Sequence, residues 1–174
     1  MTDDQYMGMA RLAREHADCK KSQVGAVIVL PTSGVILGAN GSPIGQVKCV
    51  DGGCYRCSHP ELFPHGKGYD VCTCVHAEED CLAQAARYGF SVAGGKLYCT
   101  LRPCRGCSKQ LLQAGIVAVY YENELPFGDK DELAAYLTLQ RGFRDGVHPL
   151  VHAAASVPIA EVRVAVTVSS TSVS

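Results

Sequence analysis

The stretch CVHAEEDC, Cys74 to Cys81, sets His76 two residues before Glu78 and flanks them with cysteines. The segment LRPCRGC adds Cys104 and Cys107, the first of them 28 residues after His76. Imidazole and thiolate are the donors that zinc prefers, in tetrahedral sites. A structural zinc site closes all four positions with protein, whereas a catalytic one uses three and keeps the fourth for water. His76, Cys104 and Cys107 make three, which reads as an open site. Two thiolates and a neutral imidazole cancel the charge of Zn²⁺, so the ion would still acidify a water toward a pKa of about 7. Glu78 stands close enough to act beside that water as a proton carrier without ligating the metal. The competing reading is a closed structural zinc with Cys81 or Cys99 as fourth ligand and Glu78 merely solvated. Both cysteines read more easily as small buried hydrophobes.

The elements that must position these groups follow from pattern. Tyr6, Met7, Met9, Ala10, Leu12, Ala13 and Ala17 recur at helical spacing, predicting a helix over Asp3 to Ala17. VGAVIVL and VILGAN, separated by Pro31-Thr32-Ser33-Gly34, predict a hairpin. Helical spacing returns from His76 to Tyr88 and stops near Gly89. KLYCTL and IVAVYY read as strands, PCRGCSKQLLQAG as a helix opened by Pro103 and closed by Gly115, and Asp129 to Arg141 as a further helix. His76 would then open one helix and Cys104 and Cys107 the first turn of another, where free N–H groups and the positive helix end stabilise thiolates. Strands alternating with helices argue for an α/β sheet layered by helices.

Residues 41–74 break this pattern. Gly, Pro, Cys and His crowd together there without periodicity, and a loop of that length needs a reason. Cys49, Cys54, Cys57, Cys72 and Cys74, with Cys19 before them and His59 and His65 among them, offer one: metal in place of a missing apolar core. Buried free thiols are the bland alternative. The tail from residue 151 to 174 contains EVRVAVTVSS, whose alternation suggests an edge strand over Arg163 to Val168, followed by disorder.

The whole chain sets bounds. Its 174 residues suggest one domain over 1–150, with an extension over 151–174. Apolar residues make up 47%, charged residues 19%, and the formal net charge is −1, so no broad basic surface invites nucleic acid or an anionic membrane. The longest apolar run is about seven residues, short of the roughly 20 that span a bilayer, and the charged N-terminus lacks a signal-peptide pattern. The expected location is therefore cytoplasmic. Ten cysteines in such a protein point to metal or catalysis, because the cytosol keeps thiols reduced. A secreted disulfide scaffold fits the helical and strand patterns badly.

His-x-Glu followed by Pro-Cys-x-x-Cys is the signature of zinc nucleobase deaminases. With QVGAVIV, NGSPIG and AGIVAVYY, the chain resembles the cytidine deaminase superfamily from about Tyr6 to Glu122, and the NGSP stretch makes it most similar to the deoxycytidylate (dCMP) branch. The resemblance implies a three-layer α/β/α fold with a mixed sheet of about five strands. It implies zinc on His76, Cys104 and Cys107, proton transfer by Glu78, attack of water on C4 of a cytosine ring, and loss of ammonia. It also implies substrate contacts from Asn40, Ala77, Thr100 and Pro103, a small-molecule nucleotide or nucleoside as partner, and a homo-oligomer, dimer or hexamer. Several members of the branch carry a second, structural zinc on counterparts of Cys19 and Cys49, so a further site is expected on Cys19, Cys49, Cys74 and one of Cys54, Cys57 or Cys72, with Cys57 the preferred fourth. Six cysteines would also suffice for two sites.

Two departures concern the substrate. Where relatives continue with Asn-Ala after the glutamate and one further residue, this chain has Asp80 and Cys81. Where they carry an arginine for the nucleotide phosphate, it has His16 and Ala17, then Lys20 and Lys21. The alternatives are a deaminase of another heterocycle (an antibiotic nucleoside, a riboflavin precursor, a purine) and a non-catalytic zinc-binding assembly protein.

Overall fold

The computed structural model describes residues 1–63, 67–126 and 130–150. Five strands form one mixed sheet: β1 (Gly25–Val29), β2 (Val35–Ala39), β3 (Lys96–Leu101), β4 (Ala118–Asn123) and β5 (Val147–Pro149), in the order β2-β1-β3-β4-β5. β1 runs antiparallel to both β2 and β3, while β3, β4 and β5 run parallel. The helices are α1 (Asp3–Arg14), the one-turn α2 (Tyr55–Ser58), α3 (Ala77–Tyr88), α4 (Arg105–Gln113) and α5 (Lys130–Gln140).

Strand alternation sorts the core into two layers. Val27 and Tyr98 face α1, where Met7 and Ala10 cover them. Ala26, Ile28, Leu97, Cys99 and Val119 face the other way, onto Ala77, Cys81 and Ala85 of α3 and Leu111 of α4. Because β1 is covered on both faces, it reads as an unbroken apolar run rather than an alternating one. The layering is α/β/α.

α1 starts where chemistry starts it. Thr2 and Gln5 exchange hydrogen bonds in a capping box, and Asp3 and Asp4 sit at the positive helix end. It stops at Arg14, three residues short of the expected Ala17. Asp18 gives its backbone N–H to the Asn40 carbonyl at 3.1 Å, which pulls the chain toward the end of β2.

Gly38 fixes the seat of α3. A Cβ there would strike the Ala77 carbonyl and lie 2.6 Å from Cys81 Sγ, so only glycine lets the first turn of α3 rest on β2. Asp80 then accepts the Ala39 N–H at 3.1 Å, and Gln84 donates to the Leu37 carbonyl at 2.8 Å. The unusual Asp80 therefore covers the backbone edge of an edge strand, and Cys81 packs wholly buried behind it.

Residues 41–75 are closed at their base by an antiparallel bridge between Gly41 and Val75. They are less featureless than their composition suggests: besides α2 they hold 3₁₀ turns over Cys49–Asp51 and Tyr69–Val71. Among its described residues, the buried side chains of this segment are Cys49, Cys54, Arg56, Cys57 and Cys74, with no aliphatic one. β5 is the one strand the pattern does not announce. It is three residues long and ends in a proline, tolerable only at a sheet edge. The expected strand at Arg163 to Val168 lies outside the described residues. No helix of the described residues is long and apolar enough to cross a membrane.

Candidate active site

His76 caps the N-terminus of α3 and Cys104 caps that of α4; Cys107 is the third residue of α4, and Pro103 precedes the cap rather than opening the helix. Glu79 ties the two ends together. One of its oxygens accepts the His76 backbone N–H at 3.0 Å, and the other accepts from Gln110 of α4 at 2.9 Å. The donors consequently converge. His76 Nδ1 lies 3.6 Å from Cys104 Sγ and 3.4 Å from Cys107 Sγ. A tetrahedral zinc with ordinary Zn–S and Zn–N bonds needs N···S separations of about 3.6 Å, so the set fits the ion. Among the described residues this group ends at three donors. Cys81 and Cys99 are fully buried elsewhere in the core.

Electrostatics follow the geometry. A hydrogen bond from Cys107, opposed by burial and helped by His76, holds the Cys104 thiol down to about 4. The bond to Cys104 in turn pushes His76 up to about 9 against its own burial. Protein without metal would therefore carry a thiolate–imidazolium pair, and binding a cation would release one proton from His76 and one from the Cys107 thiol, which Cys104 and burial push up. Glu78 is 4% exposed, and burial, with the Cys104 charge second, pushes its carboxyl up to about 7.

These groups open into a pocket. Ala77 and Asn40 lie on its wall. Both ends of the Asn40 amide are already engaged: its oxygen accepts the Val24 N–H at 2.7 Å and its nitrogen donates to the Ser22 carbonyl at 2.6 Å, shaping the rim. Thr100 and Pro103 stand behind the wall. Thr100 Oγ1 accepts the Gly25 N–H at 3.1 Å, and the buried Pro103 gives its carbonyl to the Tyr136 hydroxyl at 2.7 Å.

Tyr69, Arg56 and Arg102 are among the pocket residues that the sequence did not announce. Tyr69 packs edge-on against His76, with ring centroids 5.8 Å apart, and the Arg56 guanidinium lies 4.3 Å above the Tyr69 ring. Arg102 reaches the pocket from the end of β3, anchored to Gln140 and Glu124. Tyr69 and Arg56 belong to the aperiodic insertion, where no sequence signal marks an inward side chain.

The expected structural ligands also converge. Cys19, Cys49, Cys57 and Cys74 bring their sulfurs within 4.8 Å of one another, and Cys54 and Cys72 adjoin them. His59 is turned to the Tyr55 carbonyl instead, and His65 lies outside the described residues.

Residues 1–123 match the family described as "Cytidine and deoxycytidylate deaminase zinc-binding region". A deoxycytidylate deaminase of Schizosaccharomyces pombe is 40% identical over 119 residues, 68% of this chain but only 36% of that one. One from Mycobacterium phage D29 is 33% identical over 128 residues, covering 70% of this chain and 94% of its own. The dCMP deaminase of cyanophage S-TIM5, solved in complex with dCMP and dUMP, superposes with a TM-score of 0.59 at 30% identity over 85% of this chain and 94% of that one. On these matches, and with its His/Cys donors drawn together at two helix starts, the chain belongs to the zinc-binding cytidine and deoxycytidylate deaminase superfamily, on its deoxycytidylate branch.

Proposed function

We propose that the chain is a zinc-dependent hydrolytic deaminase converting dCMP and water to dUMP and ammonia. The observation that carries this reading is the buried Glu78 carboxyl standing beside a three-donor His76, Cys104, Cys107 set at the floor of a pocket. A zinc ion held there supplies the Lewis acidity that makes water a nucleophile at neutral pH. Glu78 takes the proton that water loses and passes it to the ring nitrogen. It then takes the second proton and delivers it to the departing amine. The first-turn N–H groups of α3 favour negative charge developing in the pocket. Tyr69 and the Glu79 bond hold the His76 ring and backbone in place.

A phosphorylated substrate is supported by the cations on the pocket wall. Lys21, Arg56 and Arg102 supply positive charge where the expected phosphate arginine is absent. Cys19, Cys49, Cys57 and Cys74 are read as ligands of a structural zinc that holds the insertion against the pocket. The protein is read as a cytoplasmic homo-oligomer, dimer or hexamer, which size-exclusion chromatography with light scattering tests. The substrate assignment is tested by ammonia release from dCMP, CMP, dCTP and cytidine. dCMP should exceed cytidine by 100-fold or more in kcat/KM, on the order of what one charge-assisted phosphate contact contributes. Equal rates on cytidine would assign a nucleoside, and no release from any of the four would favour another heterocycle or a non-catalytic role.

A further inference from the structure

We infer that the insertion holds two metal ions, not one, in a six-thiolate cluster in which Cys57 and Cys74 each bridge both ions. The inference rests on the reading of Cys19, Cys49, Cys57 and Cys74 as a structural zinc site and adds a second ion to it. The sulfurs form two overlapping quartets: Cys19, Cys49, Cys57, Cys74 and Cys54, Cys57, Cys72, Cys74. Two tetrahedra that share an edge have six corners, and the edge they share here is Cys57–Cys74. With zinc–sulfur bonds of about 2.3 Å, a tetrahedral edge is about 3.8 Å. Cys19–Cys57 and Cys54–Cys72 are each 3.8 Å apart, one edge from each quartet, and the shared Cys57–Cys74 edge is 4.0 Å. None of the ten cysteines is in a disulfide, and these separations are about twice a sulfur–sulfur bond.

A second feature points the same way. A single ion on the first quartet would leave Cys54 and Cys72 without a metal. Yet Arg56, 6% exposed, directs one guanidinium nitrogen to Cys72 Sγ at 3.9 Å and another to the Lys67 carbonyl at 2.7 Å. No carboxylate among the described residues forms an ion pair with it. A buried guanidinium requires a counter-charge. Two divalent ions with six thiolates carry a net charge of −2, as one ion with four does, but only the six-thiolate cluster extends that charge to the Cys72 corner that Arg56 faces. The backbone N–H of Lys20 donates to Cys49 Sγ at 3.3 Å, on the opposite corner. The ligand chemistry is that of a thiophilic divalent ion, zinc in the cell.

Arg56 and Tyr69 line the substrate pocket, so the second ion would also stiffen that wall. Native mass spectrometry and metal analysis of the purified full chain test the inference. Three zinc ions per chain are expected, one on His76, Cys104 and Cys107 and two on the six thiols. Exchange with ¹¹³Cd should give two thiolate-only resonances split by coupling through the shared sulfurs. The Cys54→Ser, Cys72→Ser double variant should fall to two zinc ions and raise KM several-fold. Two zinc ions in the wild type, with no coupling and with Cys54 and Cys72 open to alkylation in the folded protein, would overturn the second ion and leave the structural zinc standing. One zinc ion would overturn both.

Discussion

At the His76 centre, three donors ride on the first residues of two helices that the sheet already holds. In the 41–75 insertion, five thiols, joined by Cys19 from the loop after α1, ride on short turns with no buried aliphatic side chain among the described residues. The first site is assembled by folding and would then receive its ion; on the proposal above, the second would need its ions in order to fold. The difference lies in what lies beneath each site. Under His76, Gly38 admits α3 onto β2, Asp80 and Gln84 bind the strand edge, and Glu79 joins α3 to α4. Under the cysteines, among the described residues, no aliphatic side chain is buried. A site built on a finished scaffold can leave a coordination position open for chemistry, whereas one that replaces a core must close every position.

Metal removal should separate the two regions most sharply. Stripping zinc with a chelator should expose 41–75 to limited proteolysis while strand and helix content of the remainder persists. Structural zinc sites carry on the order of 10 kcal/mol of folding free energy in small domains. By the same reasoning Cys74→Ser should open the insertion, whereas His76→Ala should lose one zinc and all turnover yet keep the insertion protease-resistant. If His76→Ala also released the insertion, the two regions would not be independent.

Next in size is the seat of α3. Gly38→Ala forces a methyl group against the Ala77 carbonyl and Cys81, and should cost about 1–3 kcal/mol in denaturant unfolding. It should lower kcat as well, because the displaced turn carries Glu78. A smaller effect is expected on the far side of α4. Gln140 donates to Ser108 Oγ and the Tyr136 hydroxyl, both at 2.8 Å, and accepts from Arg102 at 3.1 Å. Gln140→Leu removes three hydrogen bonds in the interior and should cost about 1–2 kcal/mol, with KM rising through Arg102 rather than kcat falling. The smallest effect is predicted for Arg144→Ala, whose pair with Asp145 is solvent-exposed and should leave the melting temperature unchanged.

How much of this was legible in the sequence follows from the range over which each signal acts. Helix caps and donor spacing are local, so the starts of α3 and α4 and the set His76, Glu78, Cys104, Cys107 could be read from short stretches. Apolar runs and their breaks placed β1 to β4 within a residue or two. β5 was not legible, because three residues ending in proline owe their pairing to β4 and not to their own pattern. Tyr69 and Arg56 were invisible for a similar reason: their inward direction is set by the cysteines around them. The role of Asn40 was half legible. Asn-Gly signals a turn, but that its amide would bridge Ser22 and Val24 depends on which strand end lies beside it.

The central claim is that Glu78 moves protons for a water activated at an otherwise complete metal centre. The direct test compares ammonia release from dCMP, together with zinc content, for the wild type and Glu78→Gln, which keeps the shape of the side chain and removes its basicity. Unchanged zinc per chain and a loss of about 10³-fold or more in kcat are expected. A variant that keeps its zinc and retains turnover within tenfold of the wild type would contradict it.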